Sequence, residues 1–398
     1  MRRFLSLLAV ATAAAIPSLA AAADAPRGDF ILDARLRYET VSQDGFGKDA
    51  QALTLRTRLG YETPAWRGFK ALAEGENVVA LSDRYNSTTN GKTAYPTVAD
   101  PETTDINRLQ VSYSGKAADG VVGRQRIILG NARFIGNVGF RQTEQTFDAV
   151  RLSLRPSPGL TLTYAYIDRV HRVFTAKSVQ GDWDSDSHLV QAEGKTPIGQ
   201  LTGYGYLLDF DNAPTQSSAT WGARLAGSHK LSGALTATYE AEYARQSDYR
   251  NNPARFDLDY LDLGAGLKSG VRSASLGLER LDGNGRRGFQ TPLATLHAFQ
   301  GWADVFLTTP GGGVRDINLR AATSFKPDGW SAPVKLQAAA HDFADADGGQ
   351  DYGREFDALV STALNAHFTA ELKAAFFDGA SPAFADRTKV WVTLEAKY

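Results

Sequence analysis

The sequence predicts an all-β protein: a transmembrane antiparallel β-barrel of 18 strands that follows a cleaved signal peptide. The last nine residues, 390–398, alternate apolar and mostly polar side chains, with Trp391 as the exception. Similar segments of about ten residues recur along the chain, and the connections between them are alternately short and long. An edge strand of a soluble sheet would explain the C-terminus alone. It gives no reason for that regular alternation of connections.

The N-terminus has the features of a secretory signal peptide over residues 1–23. Arg2 and Arg3 precede an apolar stretch, and small residues at 21–23 form a cleavage site before Asp24. A retained membrane anchor is the alternative, and Pro17 within a short apolar segment argues against it. No later apolar run approaches the roughly 20 residues that a spanning helix needs. We therefore expect residues 24–398 to form a single barrel domain.

The composition narrows the function. The chain contains 6 Trp, 15 Tyr and 20 Phe, yet its mean hydropathy is only −0.29. Strands with one apolar face account for both values. The absence of cysteine excludes disulfides, thiolate metal sites and a catalytic thiol. A formal net charge of −1 gives no reason to expect nucleic acid as a partner.

An even number of strands places both ends of the chain on the same side of the membrane. Segment 295–307 is assigned to a loop, because a nineteenth strand would separate the termini. A change of phase between Tyr260 and Leu261 predicts a β-bulge. The predicted strands are 32–40, 51–62, 68–81, 105–114, 120–129, 147–155, 160–168, 187–195, 200–209, 218–229, 234–245, 256–268, 271–281, 314–325, 334–343, 355–366, 368–378 and 387–398.

Arginines recur on the polar face of neighbouring strands in the first part of the chain. If that face lines the lumen, they form a cationic wall, which favours anions in a pore. The alternative is a mixed, weakly selective lumen in which arginines pair with acids on the same face, namely Asp33, Glu39, Glu193, Glu240, Glu242, Glu371 and Glu395. The arginines are Arg35, Arg37, Arg56, Arg58, Arg108, Arg124, Arg126 and Arg151.

The connection between the fifth and sixth strands, residues 130–146, is rich in Arg, Asn, Gln and Gly. Such a loop can fold inward and narrow the pore, which would bring fixed charges into a constriction of low dielectric constant. A solvated surface loop is the alternative.

The run GRQRIILGNARFIGNVGFRQTEQTFDAV, residues 123–150, resembles the signature region of the alginate export family of outer-membrane barrels. The run over 295–317 also resembles segments of that family. The resemblance implies an 18-stranded barrel with an arginine-lined lumen for anionic or polar solutes. It further implies that Arg124, Arg126, Arg133 and Arg141 line the constriction, with Glu144 and Asp148 as their partners. The chain is short for a polysaccharide exporter and its loops are modest.

These features favour an outer-membrane channel for passive diffusion of small anionic or saccharide solutes. The first alternative is a dedicated exporter of an anionic, alginate-like polysaccharide that works with periplasmic partners. A barrel-embedded enzyme or an adhesion protein is a distant one. The six histidines are scattered, and the chain contains neither a zinc-type HExxH motif nor a GxSxG elbow.

The expected partners follow from this interpretation. They are outer-membrane lipid and lipopolysaccharide, small anionic or saccharide solutes, and the barrel-assembly machinery, which would bind the C-terminal strand 390–398. No cofactor, metal or catalytic residue is expected, and the protein is expected to be a monomer.

Overall fold

The computed structural model describes residues 27–398, so the predicted signal peptide, 1–23, lies outside the described residues. Within that range no helix is both long and apolar enough to cross a membrane.

The described chain forms 18 strands and two short 3-10 helices, Pro214–Gln216 and Leu296–Ala298. The first nine strands are β1 (Asp29–Gln43), β2 (Ala50–Glu62), β3 (Phe69–Arg84), β4 (Thr103–Ser114), β5 (Ala118–Gln125), β6 (Thr146–Ser157), β7 (Leu160–His171), β8 (Asp182–Thr196) and β9 (Gly199–Leu208). The others are β10 (Ser218–Ser232), β11 (Leu235–Asp248), β12 (Asp257–Ser269), β13 (Arg272–Leu281), β14 (Val314–Phe325), β15 (Val334–Ala344), β16 (Asp351–Ala363), β17 (Phe368–Gly379) and β18 (Arg387–Lys397).

The strands close into one antiparallel barrel. Each strand pairs with its neighbours in sequence, and β18 pairs with β1. At that seam the amide of Tyr398 donates to the carbonyl of Leu32 at 2.9 Å. Closure removes the free edges that a spanning sheet cannot leave in lipid. Every predicted segment corresponds to a strand, and 295–307 contains no strand, so both predictions are confirmed.

The alternation of side chains follows from having lipid on one face of the wall and the lumen on the other. In β1, the side chains of Arg37 and Glu39 are buried inside the barrel, whereas that of Leu36, on the opposite face of the same strand, is exposed on the outside. The connections after even-numbered strands are short, as at 158–159 and 197–198. Those after odd-numbered strands include the longest in the barrel, 126–145 and 282–313.

Both of these long loops fold into the barrel and pair with each other. The amide of Gly136 donates to the carbonyl of Leu293 at 2.8 Å, and that of Thr295 donates to Ala132 at 3.0 Å. Ile135 and Leu293 form a parallel bridge between the loops, and both side chains are fully buried. We call the paired loops, 126–145 and 282–313, the partition. The prediction that 130–146 folds inward is confirmed.

The partition also explains two irregularities of the sequence pattern. The predicted bulge at Tyr260 and Leu261 is wrong, because β12 pairs with β11 and β13 without a register shift. Leu258 and Tyr260 face inward and are buried there, since the loops replace water at that end of the lumen. Trp391 faces inward for the same reason and contacts the ring of Phe140 edge-on, with 5.7 Å between centroids.

Candidate functional site: the lumen and its charges

The arginines of β1 and β2 face the lumen but are neutralised by carboxylates. Arg35 lies 2.9 Å from Glu395, and Arg56 forms an ion pair with Asp33. Arg58 donates to Glu76 at 2.5 Å. Because these pairs are largely buried, each depends on its partner: removing one member would leave an uncompensated charge.

The same arginines hold loop 126–145 through its main chain. Arg35 donates to the carbonyl of Gly139 at 3.1 Å, and Arg37 donates to that of Phe140 at 2.5 Å. Arg58 reaches the carbonyl of Gln142 at 3.4 Å. The exposed fractions of Arg37, Arg56 and Arg58 are only 3%, 0% and 4%. This side of the lumen is therefore covered by the loop.

Glu144 is the centre of a second group of charges at the start and end of this loop. It accepts from Arg126 at 2.7 Å and from Asn137 at 2.6 Å, and it lies 3.3 Å from Arg58. Burial would raise the pKa of Glu144, but Arg58 and Arg126 outweigh that effect and lower its pKa to about 2. Arg108 on β4 binds a separate acid, Glu74, at 2.6 Å.

Arg133 and Arg141 extend from the loop to other walls of the barrel. Arg133 is fully buried and donates to Glu279 at 2.5 Å. Arg141 donates to Glu39 at 3.1 Å and to Asp304 at 3.0 Å. Burial would lower the pKa of Arg141, but Glu39, together with Asp100 and Asp304, raises it above its ordinary value. Both arginines thus fasten the partition to the barrel wall.

The predicted inward orientation of Arg124 is wrong. Arg124 pairs in register with Leu109, and directly opposed residues share a face of the sheet. Leu109 and Val122 are 54% and 52% exposed on the outer face. Gly123, with φ of +110°, permits a backbone conformation next to Arg124 that side chains rarely allow. Arg124 instead binds Asp148 at 2.9 Å.

Two further placements complete the predicted set. Asp148 also contacts the ring of His171 at 2.9 Å, away from the arginines of β1 and β2. Arg151 faces inward on β6 and is half-buried, and no carboxylate within residues 27–398 lies within ion-pair distance of it. The structure thus brings together Arg35, Arg37, Arg56, Arg58, Arg108, Arg126, Arg141 and Glu144. Arg124 lines a small cavity with Glu144 but pairs with Asp148, and Arg151 lies apart from the group.

Sequence reasoning missed Glu74 and Glu76 on β3, which bind Arg108 and Arg58. Because they are two positions apart, both side chains lie on the same face of β3, next to the arginines of β2 and β4. The poor alternation of apolar and polar residues around Gly75 obscured this signal. A row of four acids across β11–β14 was also missed, because its members are far apart in sequence. In register and facing inward, they are Glu242, Asp262, Glu279 and Asp316.

At the centre of the partition lies His297. Its Nδ1 is 2.7 Å from Asp304, its Nε2 is 2.6 Å from Nζ of Lys373, and its ring stacks on Phe140 at 3.5 Å. Burial lowers the pKa of His297 well below its usual value; Asp304 opposes this shift and Lys373 adds to it. The imidazole is therefore neutral, donating from Nδ1 to Asp304 and accepting at Nε2 from the ammonium of Lys373.

Open space lies on both sides of His297. An outer cavity of about 460 Å³ is lined by His297, Arg141, Arg172, Arg387 and Lys389, with apolar side chains between them. An inner cavity of about 390 Å³ is lined by His297, Lys373 and Trp302. His297 lines both, so it separates them.

The inner cavity continues toward the acidic row. A third space of about 340 Å³ shares Ser275 and Arg320 with it and is also lined by Asp262 and Glu279. The open part of the lumen therefore follows β11–β17 rather than the arginines of β1 and β2. In the part of the chain from 27 to 398, no three His, Asp or Glu side chains are grouped in a way that could hold a metal ion.

A family model described as alginate export matches residues 27–248, more than half of the sequence. The chain belongs to the alginate export family. No curated protein sequence gives a significant match.

Solved barrels resemble this member of the alginate export family over nearly their whole length. OccAB4 of Acinetobacter baumannii superposes with a TM-score of 0.73 at 14% identity, covering 94% of this chain and 98% of the other. The outer membrane protein opdK of Pseudomonas aeruginosa gives 0.71 at 15% identity, and OccK9 (OpdG) of the same organism gives 0.72 at 14%. In both cases 93% of this chain and 98% of the other are covered.

At such low identity the resemblance establishes the fold. Together with the family and the closed 18-stranded barrel, it identifies an outer-membrane β-barrel protein of the porin type, as the sequence predicts.

Proposed function

We propose that this protein is a passive outer-membrane channel for small anionic or saccharide solutes. The observation that carries this proposal is the pair of cavities, outer and inner, that meet at His297 in a barrel fixed in the membrane. A solute would enter one cavity, pass His297 and leave through the other. The proposed route needs no catalysis, cofactor or energy source, and a single barrel contains all of it, so we expect a monomer.

The size of the cavities supports small solutes. Volumes of about 390 and 460 Å³ are at the lower end of the range for sites that hold small molecules, roughly 300–1,000 Å³. A polysaccharide chain would need a wider opening, because the partition ties loop 126–145 to loop 282–313 across the lumen.

The charge of the outer cavity supports anions. Arg172 and Arg387 line it without a carboxylate at ion-pair distance in residues 27–398, whereas Arg141 and Lys389, which also line it, pair with Glu39 and Asp304. Fixed charges of one sign in a cleft with apolar walls raise the local concentration of the opposite ion. A solute carboxylate would meet this cavity first when it comes from the side of the long loops.

Recording from the refolded protein in a planar bilayer tests this proposal. Under a KCl gradient we expect discrete open-channel steps and a reversal potential on the anion side of zero. The current should also be reduced reversibly by a small sugar acid such as glucuronate, which would occupy the path. A folded barrel that conducts no current would contradict the proposal.

Polysaccharide export is the second candidate, and the family match favours it. It requires the partition to move aside and periplasmic partners to deliver the polymer. Adding an alginate oligomer to one side of the bilayer separates the two: a polymer that only blocks the current favours the small-solute channel, and one that crosses favours export. Presentation of strand 390–398 to the barrel-assembly machinery remains a prediction.

A further inference from the structure

The cations that sequence analysis assigned to the lumen are mostly not free to act on a solute. Of the ten predicted arginines, eight have a carboxylate within ion-pair distance in residues 27–398. Of the other two, Arg37 is 3% exposed beneath Phe140, and Arg151 lines neither the outer nor the inner cavity. An ion pair presents little net charge to a passing ion, so these arginines contribute weakly to selectivity.

The outer cavity contains two guanidinium groups of a different kind. Arg387 donates to the carbonyls of Ala303 and Asp304, at 3.0 and 2.9 Å. Arg172 donates to the carbonyl of Gln180 at 3.1 Å and stacks over the ring of Trp183 at 3.9 Å. These contacts orient both groups, and neither group has a carboxylate within ion-pair distance in residues 27–398.

The inner cavity is lined by two more cations that have no ion pair in residues 27–398. Lys373 is 94% buried, and its ammonium contacts the neutral ring of His297 and lies 3.8 Å over Trp302. Arg320 on β14 lines both inner spaces, and neither cation forms an ion pair within residues 27–398. Lys373 touches the residue that separates the two cavities. A cation without an ion-pair partner in residues 27–398 therefore lies beside the side chain that separates the two cavities, in surroundings that strengthen its field.

We infer that Arg172, Arg387, Lys373 and Arg320 set the ion selectivity of this channel, and that the paired arginines of β1–β5 serve to hold the partition in place. This inference rests on the proposed function. The four cations follow the route in order, two before His297 and two at or after it. A small carboxylate would exchange from one to the next, and the planar guanidinium fork suits that group.

Asp262 is the charge that opposes this track. It faces the space next to the inner cavity and, across the described chain, has no ion-pair partner. It lies opposite Glu242 and Glu279 in register. We therefore expect moderate rather than strict anion preference, because anions leaving Arg320 on this side pass a carboxylate.

The test is the reversal potential of single channels under a KCl gradient, with chloride as the probe. Arg172→Gln, Arg387→Gln, Lys373→Gln and Arg320→Gln would be measured singly and together. Glutamine keeps a donor for the local carbonyls and for His297 while it removes the charge. We expect the chloride-to-potassium permeability ratio to fall in each single variant, and by roughly threefold or more in the quadruple variant. Arg387→Lys should retain most of the wild-type ratio.

The matched control is Arg108→Gln combined with Glu74→Gln, which removes one ion pair of the arginine wall without changing the net charge. We expect it to leave the permeability ratio unchanged. Heat-modifiable migration on gels would verify that every variant is a folded barrel, and the single variants serve if the quadruple one does not fold.

The outcomes separate this inference from the function on which it rests. A quadruple variant with the wild-type ratio, or a control that lowers the ratio as strongly, would overturn the inference and leave the channel intact. An open wild-type channel without anion preference would also overturn it. A folded wild-type barrel without conductance would defeat the proposed function itself.

Discussion

Glu144 shows how much of the site depends on one carboxylate. Its partners are two arginines and two amides, contributed by β2, β4, and the start and middle of its own loop. Its pKa is lowered to about 2 in the fold, from an ordinary value of 4.5. For an acid with a lowered pKa, the stabilisation is complete above the unfolded value and is lost as the pH falls through the folded value. The shift corresponds to about 3 kcal/mol.

We therefore predict that loop 126–145 loosens as the pH falls from about 4.5 to about 2. Single-channel current noise, measured stepwise over this range, should rise as the loop detaches. In Glu144→Gln the noise should be high already at pH 6 and change less with pH. Equal pH dependence in the variant and the wild type would show that Glu144 is not the responsible group.

At the same scale, there are physical reasons why the sequence predicts the positions of some site residues and not of others. The polar face of a strand follows from a local period of two, which puts Arg35 and Arg37 on one face of β1 and Arg56 and Arg58 on one face of β2. Arg133 binds Glu279, 146 positions away, and no local pattern encodes that distance. Arg124 was misplaced because its charge was taken to indicate the lumen, although it shares the parity of the apolar, outward-facing Val122.

At the scale of elements, the partition combines two loops that the sequence treats as separate. Strands were predictable because lipid and lumen impose an alternating pattern on each of them. The pairing of loops 126–145 and 282–313 was not, since the glycine-rich composition of the first loop predicts inward folding but not a partner. Apolar inward residues such as Leu258 and Trp391 were the available signal, because a water-filled lumen would not explain them.

The position of His297 in the partition leads to a second prediction. His297→Ala removes the ring that separates the outer and inner cavities, and the neighbouring Phe140 cannot fill that space without leaving Arg37 and Trp391. We expect single-channel conductance to increase by roughly twofold. His188→Ala is the matched control, because His188 contacts Tyr164 on the outer face of the barrel. A wild-type conductance in His297→Ala would place the constriction elsewhere.

At the scale of the whole molecule, the barrel divides into two functional halves. The half built from β1–β6 and loop 126–145 is a closed network of ion pairs, which keeps the partition in position. The half built from β10–β17 encloses the open space and carries Arg320, Lys373 and Asp262. The family match covers residues 27–248, and thus all of the closed half, whereas the inner cavities draw most of their lining from later strands.

The central claim is that solutes pass with the partition in place. The chain has no cysteine, so Ile135→Cys with Leu293→Cys would introduce one pair at the bridge between the two loops. Paired strands lie about 4.8 Å apart, within the range that a disulfide spans.

Liposome swelling with glucuronate, measured in the oxidised and the reduced state of this double variant, is the decisive measurement. Our account predicts the same swelling rate in both states, because the loops need not separate for a small solute. Swelling that occurs only after reduction would contradict it, since the partition would then have to open as a polymer exporter requires.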